Sequence, residues 1–148
     1  MWPGFDSRLP DKMQTEEHFM GKVAQKAIIV RDGKILLTRD PRTPEYWELP
    51  GGRLNIDESP EEGLVRELRE ELGITVSIGE VAFLKQFLQG TEEAKRALVI
   101  VYSATVPADA ELTVDPKEIC EVGWFSQQDI ASLKLFPEYK EALEKFFS

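Results

Sequence analysis

A run of fifteen residues, Ser59 to Gly73, narrows the folds open to this chain more than any other stretch. Ser59 is a good N-cap, Pro60 suits the first helical position, and Glu62 completes an S-x-x-E capping box. Leu64, Leu68 and Leu72 recur at helical spacing with Val65 beside them, and Gly73 supplies a C-terminal stop. The spacing predicts a helix over Pro60 to Leu72 with one apolar stripe. A helix of that kind needs a second layer to bury its leucines. Strand-like runs on both sides of it supply the candidates.

Before the helix, Lys22 to Val30 reads as a strand, Asp32-Gly33 as a tight turn, and Lys34 to Arg39 as its hairpin partner. After it come strand-like runs at Thr75 to Ile78, Val81 to Leu88 and Ala97 to Thr105, rich in β-branched and aromatic residues. A polar loop, Gly90 to Lys95, separates the last two. Pro107 to Asp115 reads as a connection and Glu121 to Phe125 as a short strand. Ser126, with Asp129 three residues on, caps a brief helix. A final helix from about Pro137 turns Tyr139, Leu143, Phe146 and Phe147 inward. Strands, a central helix, more strands and terminal helices make an α+β or layered α/β/α pattern.

With 148 residues the chain fits one domain, read as an N-terminal extension over 1–21 and a single domain over 22–148. The formal charge of −9 with scattered basic residues argues against a binder of duplex nucleic acid. A small anionic substrate then needs a local reversal of field, from a metal or a few converging cations. The longest apolar runs are too short to span a bilayer, and residues 1–21 lack the apolar core of a signal peptide. The cytoplasm is the expected location. Cys120, the one cysteine, is expected to be a small buried side chain between Ile119 and Val122. His18, the one histidine, is expected at the surface.

The chemistry gathers on the other face of the central helix. Glu67, Glu70 and Glu71 stand at i, i+3 and i+4, within reach of a common point. Clustered carboxylates repel one another unless a proton or cation intervenes, and oxygen-only ligands suit Mg²⁺ or Mn²⁺. On the helix alone a solvated acidic face is the more ordinary account, and Glu62–Arg66 and Arg66–Glu70 are common surface pairs. The preceding loop changes the balance. Gly51-Gly52 permits close backbone approach to a ligand, and a glycine carbonyl there is one more oxygen donor.

From Gly52 the chain reads Gly52, Glu58, Arg66-Glu67-Leu68, Glu70-Glu71 and Gly73-Ile74. These residues fill the pattern G-x5-E-x7-R-E-U-x-E-E-x-G-U, where U is apolar, at all nine constrained positions over twenty-three residues. The chain therefore resembles the Nudix hydrolase family. The hairpin ending Leu37-Thr38-Arg39, the approach Trp47-Glu48-Leu49-Pro50-Gly51-Gly52 and the late Gly123-Trp124 extend the likeness to MutT-like members, more loosely.

The resemblance implies the Nudix fold, a mixed sheet between helices, and metal-dependent hydrolysis of a nucleoside diphosphate derivative. It implies Glu67, Glu70, Glu71 and the Gly51 carbonyl as metal ligands. Glu58 and Arg66 would form an ion pair that fixes the loop on the helix. Glu118 is similar in placement to a further metal carboxylate, with an ordinary surface glutamate as the even alternative and Glu121 as a rival. Glu67 or a loop carboxylate would serve as general base, beside Glu70 and Arg66 in the catalytic set. Arg39, Trp47 and Gly52 are expected to meet substrate, although Arg39 could equally be a surface arginine and Trp47 and Tyr46 packing residues. A nucleoside triphosphate or similar small nucleotide is the expected substrate. ADP-ribose or a nucleotide sugar is the alternative, and a non-catalytic nucleotide sensor the alternative of another class. The resemblance also brings a homodimer into view, without deciding it.

Overall fold

The computed structural model describes residues 18–88 and 96–148. Most of the 1–21 extension and the polar loop at 90–95 lie outside the described residues. The elements run β1 (Lys22–Arg31), β2 (Lys34–Arg39), β3 (Gly51–Arg53), α1 (Pro60–Leu72), β4 (Ser77–Leu88), β5 (Arg96–Thr105), β6 (Glu121–Phe125), α2 (Gln127–Ile130) and α3 (Pro137–Phe147).

Asp32 and Gly33 both take positive φ, 52° and 73°, the backbone that a two-residue hairpin needs to match strand twist. At the start of α1 the Ser59 hydroxyl accepts from the Glu62 amide, and at its end Gly73 closes the helix in the left-handed region. Ser126 and Asp129 cap α2 reciprocally, as their spacing predicts.

The sheet is mixed, in the order β4-β5-β1-β2-β6, with β3 also paired to β1. β1 runs parallel to β5 over Lys22 to Ile29 and antiparallel to its other neighbours. Side chains alternate across the pleat, so β1 feeds two cores. Ala27 and Ile29 join Leu36 and the α1 stripe of Leu64, Leu68 and Leu72 on one face. Ile28 joins Ile35, Leu37, Val99 and the α3 residues Tyr139, Ala142 and Leu143 on the other. The result is an α/β/α sandwich of the α+β class. Each fully buried leucine contributes about 1.5–3 kcal/mol relative to exposure.

Four expectations need correction. Residues 77–88 form one strand with register shifts around Val81 rather than two strands, because β4 bulges there and resumes its pairing with β5 on either side. Gly51–Arg53 is a short strand rather than loop. Phe146 stays partly exposed, because Phe147, one turn after Leu143 on the inner face, takes the core position of that last turn. Cys120 is exposed: it stands on the bend just before β6, and Ile119 takes the inward position next to the α1 core. His18 is exposed, as expected. Among the described residues no helix is long and apolar enough to cross a membrane.

Candidate active site

The site begins where β1 and β2 part. Beyond the hairpin pairs Val30↔Ile35 and Arg31↔Lys34, the two strands separate, and residues 47–53 wedge into the fork. Glu48 bridges to Thr38 on β2, the Pro50 carbonyl accepts from the Ala27 amide at 3.0 Å, and Gly51 to Arg53 pair with Ala24 to Lys26. Two glycines make this wedge fit. Gly51 has φ 139°, and a Cβ there would stand 2.2 Å from the Gln25 carbonyl oxygen. A Cβ on Gly52 would stand 2.5 Å from the carboxyl carbon of Glu67. The loop backbone therefore lies directly on the acidic face of α1.

That face is not uniform. Glu67 and Glu71, one turn apart, both line a cavity of about 570 Å³. Burial pushes the Glu71 carboxyl up to about 8, and its hydrogen bond to Glu67, the Glu67 charge and the Glu118 charge add to the rise. Lys26 works in the opposite direction. Two like charges in partial burial hold a proton between them unless a cation replaces it. Glu70 points elsewhere: its side chain is 61% exposed, accepts from Arg66 Nη1 at 3.2 Å, and is not in the cavity wall. The structure thus joins two of the three helix glutamates and leaves the third on the flank.

Arg66 ties these parts together. Its Nε and Nη2 donate to the two Glu58 oxygens at 2.9 and 2.7 Å, a bidentate pair, while Nη1 lies 3.1 Å from Glu67. Asn55 also donates its backbone N–H to Glu58. The Arg66 guanidinium, with that amide, holds the Glu58 carboxyl at about 2, far below the ordinary carboxylate range. Loop and helix are latched by one ion pair, in the arrangement expected of these two residues.

The remaining expected residues divide. Glu118 sits on an exposed loop yet lines the cavity opposite α1. Glu121 turns away to pair with Arg39. Arg39 is spent on structure: Nη1 donates to the Pro44 carbonyl at 2.9 Å, Nη2 to Glu121, and the guanidinium lies 4.8 Å from the Trp47 ring centre. Trp47 packs edge-on against Phe125 at 4.8 Å, and Tyr46 stacks on Phe136 at 4.5 Å. Neither Arg39 nor Trp47 is in the cavity wall, whereas Gly51 and Gly52 are.

Several wall residues were not anticipated from sequence. Lys26, Glu48, Phe136 and Tyr139 close the end next to α3, and Arg42 and Arg53 stand at the rim. Because α1 and α3 cover opposite faces of the sheet, the cavity crosses the sheet through the fork. One signal for Lys26 was present: Gln25-Lys26 interrupts an otherwise apolar central strand. Burial alone lowers the pKa of Lys26, but Tyr139, Glu48 and Glu71 outweigh it and leave the ammonium held more firmly charged than a free lysine.

Whether a divalent metal fits can be judged from the donors. Among the described residues no three His, Cys, Asp or Glu side chains already close a metal cage. Glu67 and Glu71 nevertheless converge, with like charge that demands a counter-ion and with oxygen donors only, the set that a hard cation such as Mg²⁺ takes. Acidic side chains outnumber basic ones in the wall, so an anionic substrate also needs a cation to enter. The residues fit such an ion.

Comparison with known proteins agrees with the geometry. The model of the NUDIX domain matches residues 22–146. A CTP pyrophosphohydrolase of Escherichia coli K12 is 36% identical over 125 residues, covering 82% of this chain and 88% of that one. Diphosphoinositol polyphosphate phosphohydrolase 3-alpha of Mus musculus is 31% identical over 123 residues, covering 78% and 70%. Among solved structures, a MutT NUDIX hydrolase from Burkholderia pseudomallei superposes with TM-score 0.75 at 32% identity, covering 85% of this chain and 98% of that one.

Proposed function

The chain belongs to the Nudix hydrolase family, and from that premise we propose that it cleaves the diphosphate linkage of a nucleoside triphosphate or similar small nucleotide with the help of Mg²⁺ or Mn²⁺. The observation that carries this reading is the half-buried Glu67–Glu71 pair beside the Gly51-Gly52 backbone inside a cavity of nucleotide size.

In this reading Glu67, Glu71, the Gly51 carbonyl and Glu118 hold the metal, with Glu70 recruited from the flank. Bound there, the ion would neutralise phosphate charge and make an attacking water more acidic. The chain's own residues do the rest. Arg66 and Glu58 keep α1 and the loop in register, so the carboxylates do not reorganise during reaction. Gly52 lets phosphates lie against backbone, and Arg53 and Arg42 meet their outer oxygens. Glu67, held by Arg66 Nη1 at 3.1 Å, is placed to take the proton of the water. Arg39 and Trp47, packed on each other outside the cavity wall, brace the loop that carries Glu48.

The named relatives act on two kinds of molecule, a CTP and a diphosphoinositol polyphosphate. The acidic wall favours the first kind. A ring carrying many phosphates would bring its charge against Asp40, Glu48 and Glu138, whereas a nucleotide confines its charge to one end.

A phosphate-release screen tests this over nucleoside triphosphates, nucleotide sugars, ADP-ribose and diphosphoinositol phosphates, each with Mg²⁺, Mn²⁺ or EDTA. Metal-dependent turnover greatest on a nucleoside triphosphate is the expected result. Turnover confined to ADP-ribose or a nucleotide sugar would replace the substrate, and nucleotide binding without turnover would favour a sensor.

A further inference from the structure

The proposed reaction occupies the carboxylate end of the cavity and leaves the α3 end without a task. There Lys26 is only 7% exposed, on a strand whose next residues, Ala27 to Ile29, are fully buried. Its Nζ lies 3.5 Å from Glu48 Oε1 and 5.5 Å from the centre of the Tyr139 ring. An ammonium carries three donors and no acceptor, and an ionised carboxylate is acceptor only. One contact at 3.5 Å leaves donors on Lys26 and lone pairs on Glu48 unused, and both residues line the cavity. Lys26 is nearly buried and Glu48 partly so, and donors and acceptors left over at that depth take water or a ligand from the cavity.

We propose that Lys26 and Glu48 read the edge of the substrate's nucleobase, Lys26 donating to a ring carbonyl or ring nitrogen and Glu48 accepting from a neighbouring N–H. This rests on the nucleotide reading above. The charges of the two side chains cancel, so phosphate gains little from the pair. A neutral heterocycle with an acceptor beside a donor satisfies both members. The wall next to them is aromatic: Phe136 and Tyr139 meet edge to face at 6.2 Å and offer apolar surface to a flat ring. Phosphates belong at the other end, against Gly52 and the α1 carboxylates. A site built to hydrogen-bond its substrate rejects molecules that cannot answer, because its own polar groups are then left unpaired.

The test is equilibrium binding in Mg²⁺, using the α,β-methylene analogues of ATP, CTP, GTP and UTP, with inorganic tripolyphosphate as a base-free probe. Wild type, Lys26→Met, Glu48→Gln and the double variant are compared. At least one nucleotide analogue is expected to bind wild type about tenfold or more tighter than tripolyphosphate. Each variant should lose about tenfold for that analogue and less than about twofold for tripolyphosphate. The double variant leaves no unpaired charge, so it keeps the comparison open if a single variant fails to fold. Equal losses on both probes, no loss, or equal wild-type affinity for nucleotide and tripolyphosphate would overturn the assignment. Because binding is read without turnover, a failed hydrolysis assay and a failed base assignment stay distinct.

Discussion

Glu67 and Glu71 stand one turn apart on α1 in the same cavity wall, and burial, joined by the hydrogen bond and charge of Glu67, raises the Glu71 carboxyl to about 8. A carboxyl with a folded pKa above its unfolded one binds more protons in the native state. Metal-free protein should therefore lose stability as pH rises from about 4.5 through 8. Melting temperatures in EDTA are expected to fall across that window. Added Mg²⁺ should raise them more at pH 8 than at pH 6, and Glu71→Gln should flatten the EDTA profile. A flat profile in wild type would contradict the shared-proton arrangement.

Glu70 stands apart from that pair, so its role can be separated from folding. With its side chain 61% exposed, Glu70→Gln should leave the melting temperature nearly unchanged. If Glu70 is recruited to the metal, kcat/KM should drop at least about 10–100-fold. Wild-type turnover at saturating Mg²⁺ would remove Glu70 from the ligand set and leave the Glu67–Glu71 pair as the core of the site.

The two glycines of the wedge should fail in different ways. Gly51→Ala places a Cβ against the Gln25 backbone at positive φ, so destabilisation on the order of 1–3 kcal/mol is expected by denaturant melt. Gly52→Ala meets only the end of the Glu67 side chain, which can swing away. That variant should fold normally and lose most turnover. Full activity in Gly52→Ala would show that the Glu67 position is not critical.

Arg66→Lys keeps a positive charge and loses the two-pronged grip on Glu58. The loop should then detach from α1. KM for Mg²⁺ is expected to rise, and acid unfolding should move to higher pH. Glu58, held at about 2, supports the fold above its ordinary carboxylate pKa and loses that support as pH falls toward 2. An unchanged acid midpoint would mean that the latch contributes nothing to stability.

What could be read from the chain alone is what depends on near neighbours in sequence. The Ser59 cap, the leucine stripe, the Gly73 stop and the Asp32-Gly33 turn are each settled within a few residues, by hydrogen bonds and dihedral preferences that need no partner element. The Arg66–Glu58 latch was expected too, through the resemblance that the Gly52 to Ile74 motif carries. Tertiary structure alone decided the rest. Only the cavity wall shows that Glu67 and Glu71 turn inward together, while Glu70 keeps the i, i+4 partner Arg66 that helix spacing already offered. Glu121 is claimed by Arg39 across the β2–β6 pairing. Gly51–Arg53 becomes a strand only because β1 has an open edge there. Lys26, Glu48 and Tyr139 come from three separate elements, and only the fork in the sheet places them around one cavity. Spacing along a helix is a local property of the backbone, whereas the meeting of strand, loop and C-terminal helix is set by which faces must be buried together.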